Sequence, residues 1–439
     1  MTTRGRITRR RFLRSAAVAA AAPAVLTWPA ATARGQASPS NRIVMGFIGV
    51  GGRGGGLLRS TLGRYDVQVV AVADVDRGRR ERARSGVEQS YAADSRPATG
   101  VAGCNDFREV LARDDIDAIL TATPDHWHAL ISIAAAKAGK DIYCEKPLAN
   151  SIAEGRAVVE AVGRYGTVFQ TGTQERSGRA RIACELVRNG RLGKLHTIHT
   201  YLPTSHRQTD NHAPEPVPEG FDYNMWLGRA PWAPYHPLRC HGNFRWNRDY
   251  AIGELTDRGA HVNDIALWGA GPLLTGPVEI EGTGVFPKQG LWNSAIDYHI
   301  EYRYASGLRI ITDSQNPDGS APARGIKFVG TDGWLFVHIH GAAMEASRES
   351  ILRETIGESE IHLHRSPGHF EDFIRAVRTR GETVAPPPES HRTASFCHLG
   401  HTAILLRRKL TWDPDAEQFL GDAEANRMVR PPCREPWTF

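Results

Sequence analysis

Residues 43–56 read Ile-Val-Met-Gly-Phe-Ile-Gly-Val-Gly-Gly-Arg-Gly-Gly-Gly. The apolar run Ile43–Ile48 predicts a buried strand, and the glycines after it have the spacing Gly49-x-Gly51-x-x-Gly54. A dinucleotide site uses such glycines for a tight turn, for close approach of the backbone to pyrophosphate, and for close packing of helix on strand. The helix expected over residues 55–63 would point its free N–H groups at the phosphates.

A second apolar run, Val67–Ala73, ends in Asp74, 20 residues beyond Gly54. An acidic side chain at this position accepts hydrogen bonds from the adenosine ribose and repels a 2′-phosphate, which favours NAD over NADP. Arg77, Arg79 and Arg80 follow closely and partly offset that repulsion, so NADP stays open as the cofactor. The alternative is a glycine turn in another kind of α/β protein, but strand, turn, helix and acid stand in the order of a dinucleotide-binding unit.

The first 33 residues are predicted to be a twin-arginine export signal, outside the fold. Residues 8–14 (Thr-Arg-Arg-Arg-Phe-Leu-Arg) resemble that signal, an alanine-rich stretch follows over residues 15–26, and Ala31-Thr32-Ala33 fits a cleavage site. The stretch is too short and too rich in small residues for a stable membrane span. A disordered basic tail is the alternative. We therefore expect export by the twin-arginine machinery and a periplasmic or secreted protein.

The positive charge of the chain belongs to this signal. The 439 residues include 54 Lys plus Arg and 48 Asp plus Glu, a formal net charge of +6. Residues 1–33 hold six arginines and no lysine or acid, so the remainder has 48 basic and 48 acidic residues. A neutral mature chain gives no reason to expect a nucleic-acid partner. Because a free nicotinamide pool is not expected outside the cytoplasm, an exported enzyme should hold its nucleotide tightly.

The chain after the signal is too long for one compact core, so two domains are expected. Strands alternating with helices predict six strands between Ile43 and Thr171, a doubly wound Rossmann domain over residues 42–172. Residues 173–409 change to long alternating strands with glycine turns, which predicts an α+β domain with a mostly antiparallel, open-faced sheet. Residues 410–439 are expected to be a surface tail. The six cysteines form no CxxC pair, which argues against structural zinc and leaves a disulfide open.

Two loops are expected over the carboxyl ends of the first sheet, where a ligand lies in such folds. They are residues 121–128 (Thr-Ala-Thr-Pro-Asp-His-Trp-His) and residues 144–147 (Cys-Glu-Lys-Pro). In most settings a lysine such as Lys146 is a solvated surface charge. At the end of a strand beside a nicotinamide, it can polarise a substrate oxygen.

The order of the motifs is specific: GxGxxG, then Asp74, then Thr123-Pro124-x-x-x-His128, then Glu145-Lys146-Pro147. It resembles the Gfo/Idh/MocA family, the glucose–fructose oxidoreductase and inositol dehydrogenase relatives, over nearly all of the chain after the signal. The resemblance implies an NAD(P)-dependent oxidoreductase with an open-faced second sheet, through which family analogy suggests a homo-oligomer. The expected cofactor contacts are Gly49, Gly51, Arg53, Gly54, Asp74, Thr123, Pro124, His128, Glu145 and Lys146.

A polar stripe is predicted in the second domain. If residues 256–268 are helical, Asp257, His261 and Asp264 lie on one face. Three interpretations are open: a solvated face capped by Asp257, a divalent-ion site for which no further ligand is clearly supplied, or a general base with an orienting carboxylate. The family uses the Asp-x-x-x-His positions in the third way, and histidine titrates near working pH. We favour the third, with Lys146, Asp257 and His261 catalytic and no metal.

The predicted reaction is hydride transfer between a secondary alcohol of a sugar, glycoside or cyclitol and the nicotinamide. Aromatic and polar loops suit carbohydrate faces and hydroxyls. The alternative is a glycosidase that oxidises a ring hydroxyl, eliminates the aglycone, adds water and reduces the ring again. A non-catalytic nucleotide or sugar sensor is a third hypothesis, opposed by the intact catalytic set. The expected substrate contacts are His206, Arg207, Arg245, Trp246 and Asp264, with Trp226, Trp232, Tyr235 and His241 as further candidates.

Overall fold

The structure, a computed structural model, describes residues 41–96, 100–206, 212–271, 276–316, 324–339 and 343–439. The expected export signal in residues 1–33 and the candidate Arg207 lie outside these ranges. No helix within the described ranges is both long and apolar enough to cross a lipid bilayer.

A parallel six-stranded sheet forms the first domain, in the order β3-β2-β1-β4-β5-β6, which confirms the predicted doubly wound fold. Its strands are β1 (Ile43–Ile48), β2 (Val67–Ala73), β3 (Ala102–Cys104), β4 (Ala118–Thr121), β5 (Asp141–Cys144) and β6 (Phe169–Thr171). Its helices are α1 (Gly52–Leu62), α2 (Arg77–Ala93), α3 (Phe107–Leu111), α4 (Asp125–Lys137) and α5 (Ile152–Tyr165).

The sequence explains these elements locally. Strands β4 and β5 are buried at every position because helices cover both faces of the sheet, so they read as short apolar runs without alternation. Helix α5 begins at Ser151, whose hydroxyl accepts a hydrogen bond from the backbone N–H of Glu154. Strand β3 has only three residues, at the edge of the sheet, which are too few to show a period in the sequence.

The second domain is built on a nine-stranded sheet in the order β13-β12-β11-β7-β10-β9-β8-β14-β15. Strands β7 and β10 pair in parallel and all other neighbours are antiparallel, so the sheet is mostly antiparallel, as expected. The strands are β7 (Leu195–Tyr201), β8 (Glu279–Val285), β9 (Asp297–Arg303), β10 (Arg309–Asp313), β11 (Gly325–Gly330), β12 (Gly333–His338), β13 (Met344–Ala346), β14 (Leu410–Asp413) and β15 (Gln418–Phe419).

Helices cover one face of this sheet. Strand β9 shows the alternation: Tyr298, Ile300 and Tyr302 are buried under helices, whereas the residues between them are at least partly exposed on the other face. The helices of the second half of the chain are α6 (Ala180–Arg188), α7 (Tyr223–Leu227), α8 (Glu254–Asp257), α9 (Gly259–Ala270), α10 (Glu349–Arg353), α11 (His369–Thr379), α12 (Pro387–Leu406) and α13 (Ala423–Val429). Helix α12 packs on both α5 and β8 and so connects the two domains.

Residues 410–439 differ from the expected surface tail. Strand β14 pairs with β8 and thereby extends the second sheet, because Leu410 and Trp412 are apolar and face its core. Near the end of the chain, Trp437 packs edge-on against Trp127 of α4, with ring centroids 4.8 Å apart. The six cysteines, all in the described ranges, are free thiols.

Candidate active site

A cavity of about 850 Å³ opens over the carboxyl ends of the first sheet and is bounded on its far side by the second domain. The glycine loop, the end of β2 and the loops after β4 and β5 supply one wall. The segment from Phe221 to His261 supplies most of the other. This is the position at which doubly wound sheets bind nucleotides.

The glycine loop fits a dinucleotide pyrophosphate. Gly49 has φ +78°, and a Cβ there would lie 2.8 Å from the backbone nitrogen of Thr123. A Cβ on Gly54 would lie 1.9 Å from the carbonyl oxygen of Gly49, so α1 can approach the loop only with glycine at this position. Gly49 and Gly51 line the cavity, while Gly54 serves the packing behind it.

Asp74 directly follows β2 and lines the cavity. Its two carboxylate oxygens accept hydrogen bonds from the backbone N–H groups of Val50 (2.9 Å) and Asp76 (3.0 Å). Burial raises the pKa of Asp74, whereas these two bonds and the charge of Arg79 act in the opposite direction. Each oxygen has a second lone pair, so the fixed carboxylate can still accept hydrogen bonds from ribose hydroxyls.

The loops after β4 and β5 contribute differently to the site. Thr123, Pro124, Glu145 and Lys146 line the cavity. His128 lies behind them, buried, with Nδ1 2.6 Å from the carbonyl oxygen of Pro147 and Nε2 2.9 Å from that of Thr123. Burial lowers its pKa to about 4. His128, expected as a cofactor contact, is thus not among the residues that line the cavity: its neutral ring lies between the two loops and donates to one of these two carbonyl oxygens.

Arg53 and Glu145 join the glycine loop to the loop after β5. Arg53 Nε donates a hydrogen bond of 3.0 Å to Glu145 Oε1, and Gln174 Nε2 donates to the same oxygen at 3.0 Å. All three residues line the cavity. Gln174 was not among the candidates, because nothing in its local sequence marks it.

Lys146 and Asp257 meet across the domain boundary. Lys146 Nζ donates to the carbonyl oxygen of Asp257 at 2.7 Å and to its carboxylate oxygen Oδ1 at 2.5 Å. Arg245 Nε donates to the same Oδ1 at 3.0 Å. Burial opposes ionisation of Asp257, but Lys146 and Arg245 hold the pKa of its carboxyl well below the ordinary range. The carboxylate is thus charged and fixed between two cations.

His261 lines the same cavity as Asp257 and Arg245. The helix expected over residues 256–268 is divided at Arg258: Asp257 ends α8, and His261 lies in the first turn of α9. The structure therefore brings the three predicted catalytic residues, Lys146, Asp257 and His261, to the same cavity, Lys146 from the first domain and the other two from the second.

The prediction that Asp264 contacts substrate is wrong. Asp264 is fully buried and accepts hydrogen bonds from Arg176 Nε (2.6 Å) and Nη2 (2.7 Å) and from the hydroxyl of Thr393 (3.1 Å). It lies almost one helical turn beyond His261 on a helix that runs away from the cavity into the second domain, so the three-residue polar face does not exist as a unit.

The other substrate candidates divide between the cavity and its surroundings. Arg245, Trp226 and His241 line it. Trp246 is buried outside the cavity lining and packs against His206, with ring centroids 4.6 Å apart, so these two residues form a separate aromatic contact. Trp232 is 69 % exposed.

Asp125 is a cavity residue that the sequence analysis did not select. It is the first residue of α4, lines the cavity and is 5 % exposed. Burial raises its pKa to about 7, against the opposing charges of Lys146 and Arg245. Its place directly after Pro124, in the loop already expected to face the ligand, was the signal that could have identified it. No cluster of His, Cys, Asp and Glu suited to a metal ion is found in the described part of the chain.

Two family models match nearly all of the folded chain. One, described as "Oxidoreductase family, NAD-binding Rossmann fold", matches residues 43–173, and the other, "Oxidoreductase family, C-terminal alpha/beta domain", matches residues 204–439. The chain belongs to the Gfo/Idh/MocA oxidoreductase family. The first domain is accordingly the NAD-binding domain of this Gfo/Idh/MocA protein, as predicted.

Curated relatives match parts of the chain. An "Alpha-N-acetylgalactosaminidase" of Shewanella oneidensis is 30% identical over 165 residues, 37% of this chain and 35% of the relative. A "Levoglucosan dehydrogenase" of Pseudarthrobacter phenanthrenivorans is 37% identical over 100 residues, 22% of this chain and 26% of the relative. The matched segment thus spans about a third or less of the length of these relatives.

Solved structures share the whole fold. The WlbA dehydrogenase from Bordetella pertussis, in complex with NADH and UDP-GlcNAcA, has a TM-score of 0.60 at 14% identity, covering 85% of this chain and 99% of that one. A levoglucosan dehydrogenase in complex with NADH and levoglucosan has a TM-score of 0.57 at 16% identity, covering 84% of this chain and 99% of that one. At these identities the likeness shows the fold.

Proposed function

We propose that this protein transfers hydride between a secondary alcohol of a sugar, glycoside or cyclitol and a tightly held NAD. The observation that carries the proposal is that Lys146, Arg245, Asp257 and His261 all line the cavity that begins at the glycine loop, with Asp257 bonded to both Lys146 and Arg245. A nicotinamide bound there supplies the hydride acceptor.

Lys146 suits the stabilisation of a substrate alkoxide. An ammonium group has three N–H donors, and hydrogen bonds to Asp257 use two of them in the described structure, which leaves one for a substrate oxygen. The two bonds also fix Nζ in place before substrate arrives. With Lys146 and Arg245 cationic and Asp257 anionic, the group carries a net positive charge, which favours negative charge developing on the alcohol oxygen.

His261 is the residue that we assign as general base. An imidazole nitrogen is a suitable acceptor for the hydroxyl proton. In the reverse direction the same ring returns that proton to the oxygen. Asp257, fixed between two cations, keeps the side chains of Lys146 and Arg245 in one arrangement.

The aromatic part of the cavity lining suits a carbohydrate. Trp127, Phe221, Trp226 and Phe244 provide aromatic surface for C–H faces, and Arg258 offers donors for hydroxyls. Two named relatives, the levoglucosan dehydrogenase and the α-N-acetylgalactosaminidase, support a substrate of this class.

The second candidate function is a glycosidase with transient oxidation. It is supported by the several glycosyl hydrolase family 109 proteins about 30% identical to the chain over some 165 residues. The ring hydroxyl would be oxidised, the aglycone eliminated, water added and the ring reduced again. Lys146 and His261 would serve both redox steps, and no net oxidation would result.

We further propose export with the nucleotide already bound. The order of arginines, apolar residues and an Ala-Thr-Ala site in residues 1–33 supports a twin-arginine signal, and that route carries folded proteins. A nucleotide retained from the cytoplasm would be recycled in place by paired oxidation and reduction.

The test begins with the nucleotide. Protein purified after export is denatured and its released nucleotide identified by mass spectrometry; stoichiometric NAD is expected, and absence of nucleotide with weak rebinding would contradict the proposal. The loaded protein is then screened against sugars and nitrophenyl glycosides. Absorbance at 340 nm that grows with added NAD indicates a dehydrogenase, whereas continuing aglycone release without NADH indicates the glycosidase.

A further inference from the structure

Asp125 is a buried acid in the cavity for which the proposed reaction has so far no use. It stands at the start of α4, directly after the loop that follows β4, and only 5 % of its surface is exposed. Among the described residues no salt bridge to Asp125 is found, in contrast to Asp257, which has Lys146 and Arg245 as partners. A buried carboxyl without a bonded cation is costly in its charged form.

The charged and titratable groups around Asp125 come from several elements. Lys146 and the Cys144 thiol face it from the end of β5, Arg245 from the 3-10 turn over residues 241–246, and Asp257 from α8. On its own helix, His126 and His128 are buried, and burial lowers their pKa values to about 3 and 4, so both rings are neutral. The two cations and the Asp257 anion act on Asp125 in opposite directions.

The result is a carboxyl that is poised between its two forms at neutral pH. Burial raises the pKa of Asp125 to about 7, although Lys146 and Arg245 lower it. A further full charge placed nearby would therefore move it almost completely to one form or the other.

Strand order places such a charge on the Asp125 side of the cavity. The glycine loop follows β1 and Asp74 follows β2, so the adenosine half of a nucleotide lies over the ends of β1 and β2. Strands β4 and β5 lie on the opposite side of β1, and their ends carry Asp125 and Lys146. The nicotinamide half belongs there.

We propose that Asp125 holds one proton while the bound nucleotide is reduced and gives it up when the nucleotide is oxidised. This inference rests on the proposed function. The oxidised nicotinamide ring is a cation and lowers the pKa of Asp125, which favours the carboxylate. The reduced ring is neutral, and because it displaces water from the cavity it raises that pKa, which favours the protonated acid. Asp125 changes the charge of the site and stores a proton, and it forms no bond to the reacting carbon.

The proton balance then closes within the protein. Oxidation of the alcohol breaks one C–H and one O–H bond: the hydride goes to the nicotinamide and the proton to His261. His261 and Asp125 line the same cavity, so the proton that the ring releases into it can be taken up by Asp125. Reduction of a second carbonyl returns the hydride to carbon and the same proton to oxygen. An enzyme that recycles one retained nucleotide would thus need no exchange of protons with solvent between its two half-reactions.

The test measures binding preference against pH. The full chain is equilibrated with NAD⁺ and NADH at a fixed ratio between pH 5.5 and 8.5, and the bound nucleotides are quantified after rapid removal of the free ones. In the wild type the bound NADH to NAD⁺ ratio should fall as pH rises, by up to about tenfold per pH unit where one proton is coupled. In Asp125→Asn, which keeps the shape and removes the titration, the ratio should be independent of pH.

Glu254→Gln is the matched control, because Glu254 is also a buried carboxyl with its pKa raised to about 7, yet it lies outside the cavity lining. Glu254→Gln should keep the wild-type pH dependence of the bound NADH to NAD⁺ ratio. Loss of that pH dependence in Glu254→Gln would overturn the assignment to Asp125. A second measurement needs no variant: calorimetry in buffers of different ionisation enthalpy should show more protons taken up with NADH than with NAD⁺.

The outcomes separate this inference from the proposed function. Equal proton uptake for both nucleotides, or a ratio independent of pH in the wild type, would refute the role of Asp125 and leave the oxidoreductase intact. Failure to bind either nucleotide would overturn both.

Discussion

Replacement of Lys146 by methionine should abolish most turnover and leave nucleotide binding in place. The side chains of Lys146 and Asp257 are 12% and 15% exposed, so their ion pair is largely desolvated. Losing one preorganised, charged donor to an oxyanion typically costs about 3–4 kcal/mol of transition-state stabilisation. We therefore expect kcat to fall by about 10²–10³-fold.

The same substitution should cost some stability, because Asp257 loses one of its two cationic partners. Arg245 remains 3.0 Å from the carboxylate and limits that cost, so we expect about 1–3 kcal/mol in the free energy of unfolding. A fall in activity could then reflect unfolding alone, and a matched control has to separate the two.

Lys140→Met is that control. Lys140 is a buried lysine whose Nζ donates to the carbonyl oxygens of Arg113 (2.6 Å) and Ile116 (2.9 Å), away from the cavity. Its loss should destabilise the protein by a similar amount and leave kcat per folded molecule unchanged. The assay is turnover of a sugar or glycoside that the wild type accepts, with urea unfolding and NADH titration on each variant. Turnover of Lys146→Met within tenfold of wild type, or an equal loss in Lys140→Met, would refute the assignment.

Three further outcomes are expected. Gly54→Ala should lose nucleotide binding in a titration, since its Cβ would lie 1.9 Å from a backbone oxygen, whereas Gly63→Ala at the open end of the same helix should keep it. Asp264→Asn should lower the free energy of unfolding by about 3–5 kcal/mol, because Arg176 loses its buried partner, with KM unchanged; a raised KM at full stability would restore a substrate role. Burial lowers the pKa of His401 from 6.5 to about 3, so its neutral form favours the fold above pH 6.5 and that contribution is lost as pH falls. His401→Leu should therefore flatten the fall of unfolding free energy with acid by up to about 1.4 kcal/mol per pH unit, and an unchanged slope in urea titrations at pH 4–7 would contradict this.

The first domain could be predicted in detail because its signals are local. Apolar runs ending in glycine, an acid or a proline fixed the strands and the cavity edge, and Gly49, Asp74 and Lys146 all lie where the pattern placed them. Only the short edge strand β3 could not be located from the sequence, because its three residues carry too little pattern.

The residues that the second domain gives to the site could not all be predicted, because their positions depend on geometry that no local sequence pattern shows. A single helix over residues 256–268 would have kept Asp257 and Asp264 together, but the division at Arg258 directs Asp264 into the core. Its partner Arg176 lies 88 residues away in sequence, so the buried pair could not be foreseen. Asp125 was missed for the converse reason: an acid at a helix start looks like an ordinary first-turn residue until its burial is known.

The long connection between β7 and β8 has a consequence for how this protein can change. Apart from Gln174 and Glu175, the described residues that the second domain gives to the cavity fall within residues 221–261, inside the connection from β7 to β8. The sheet itself contributes none of them and serves as a scaffold. Substitutions, insertions or exchanges in that connection can therefore alter which molecules are accepted while the strand pairing and the nucleotide cradle are inherited unchanged. Diversification of substrate range in this architecture needs a new loop, and no new fold.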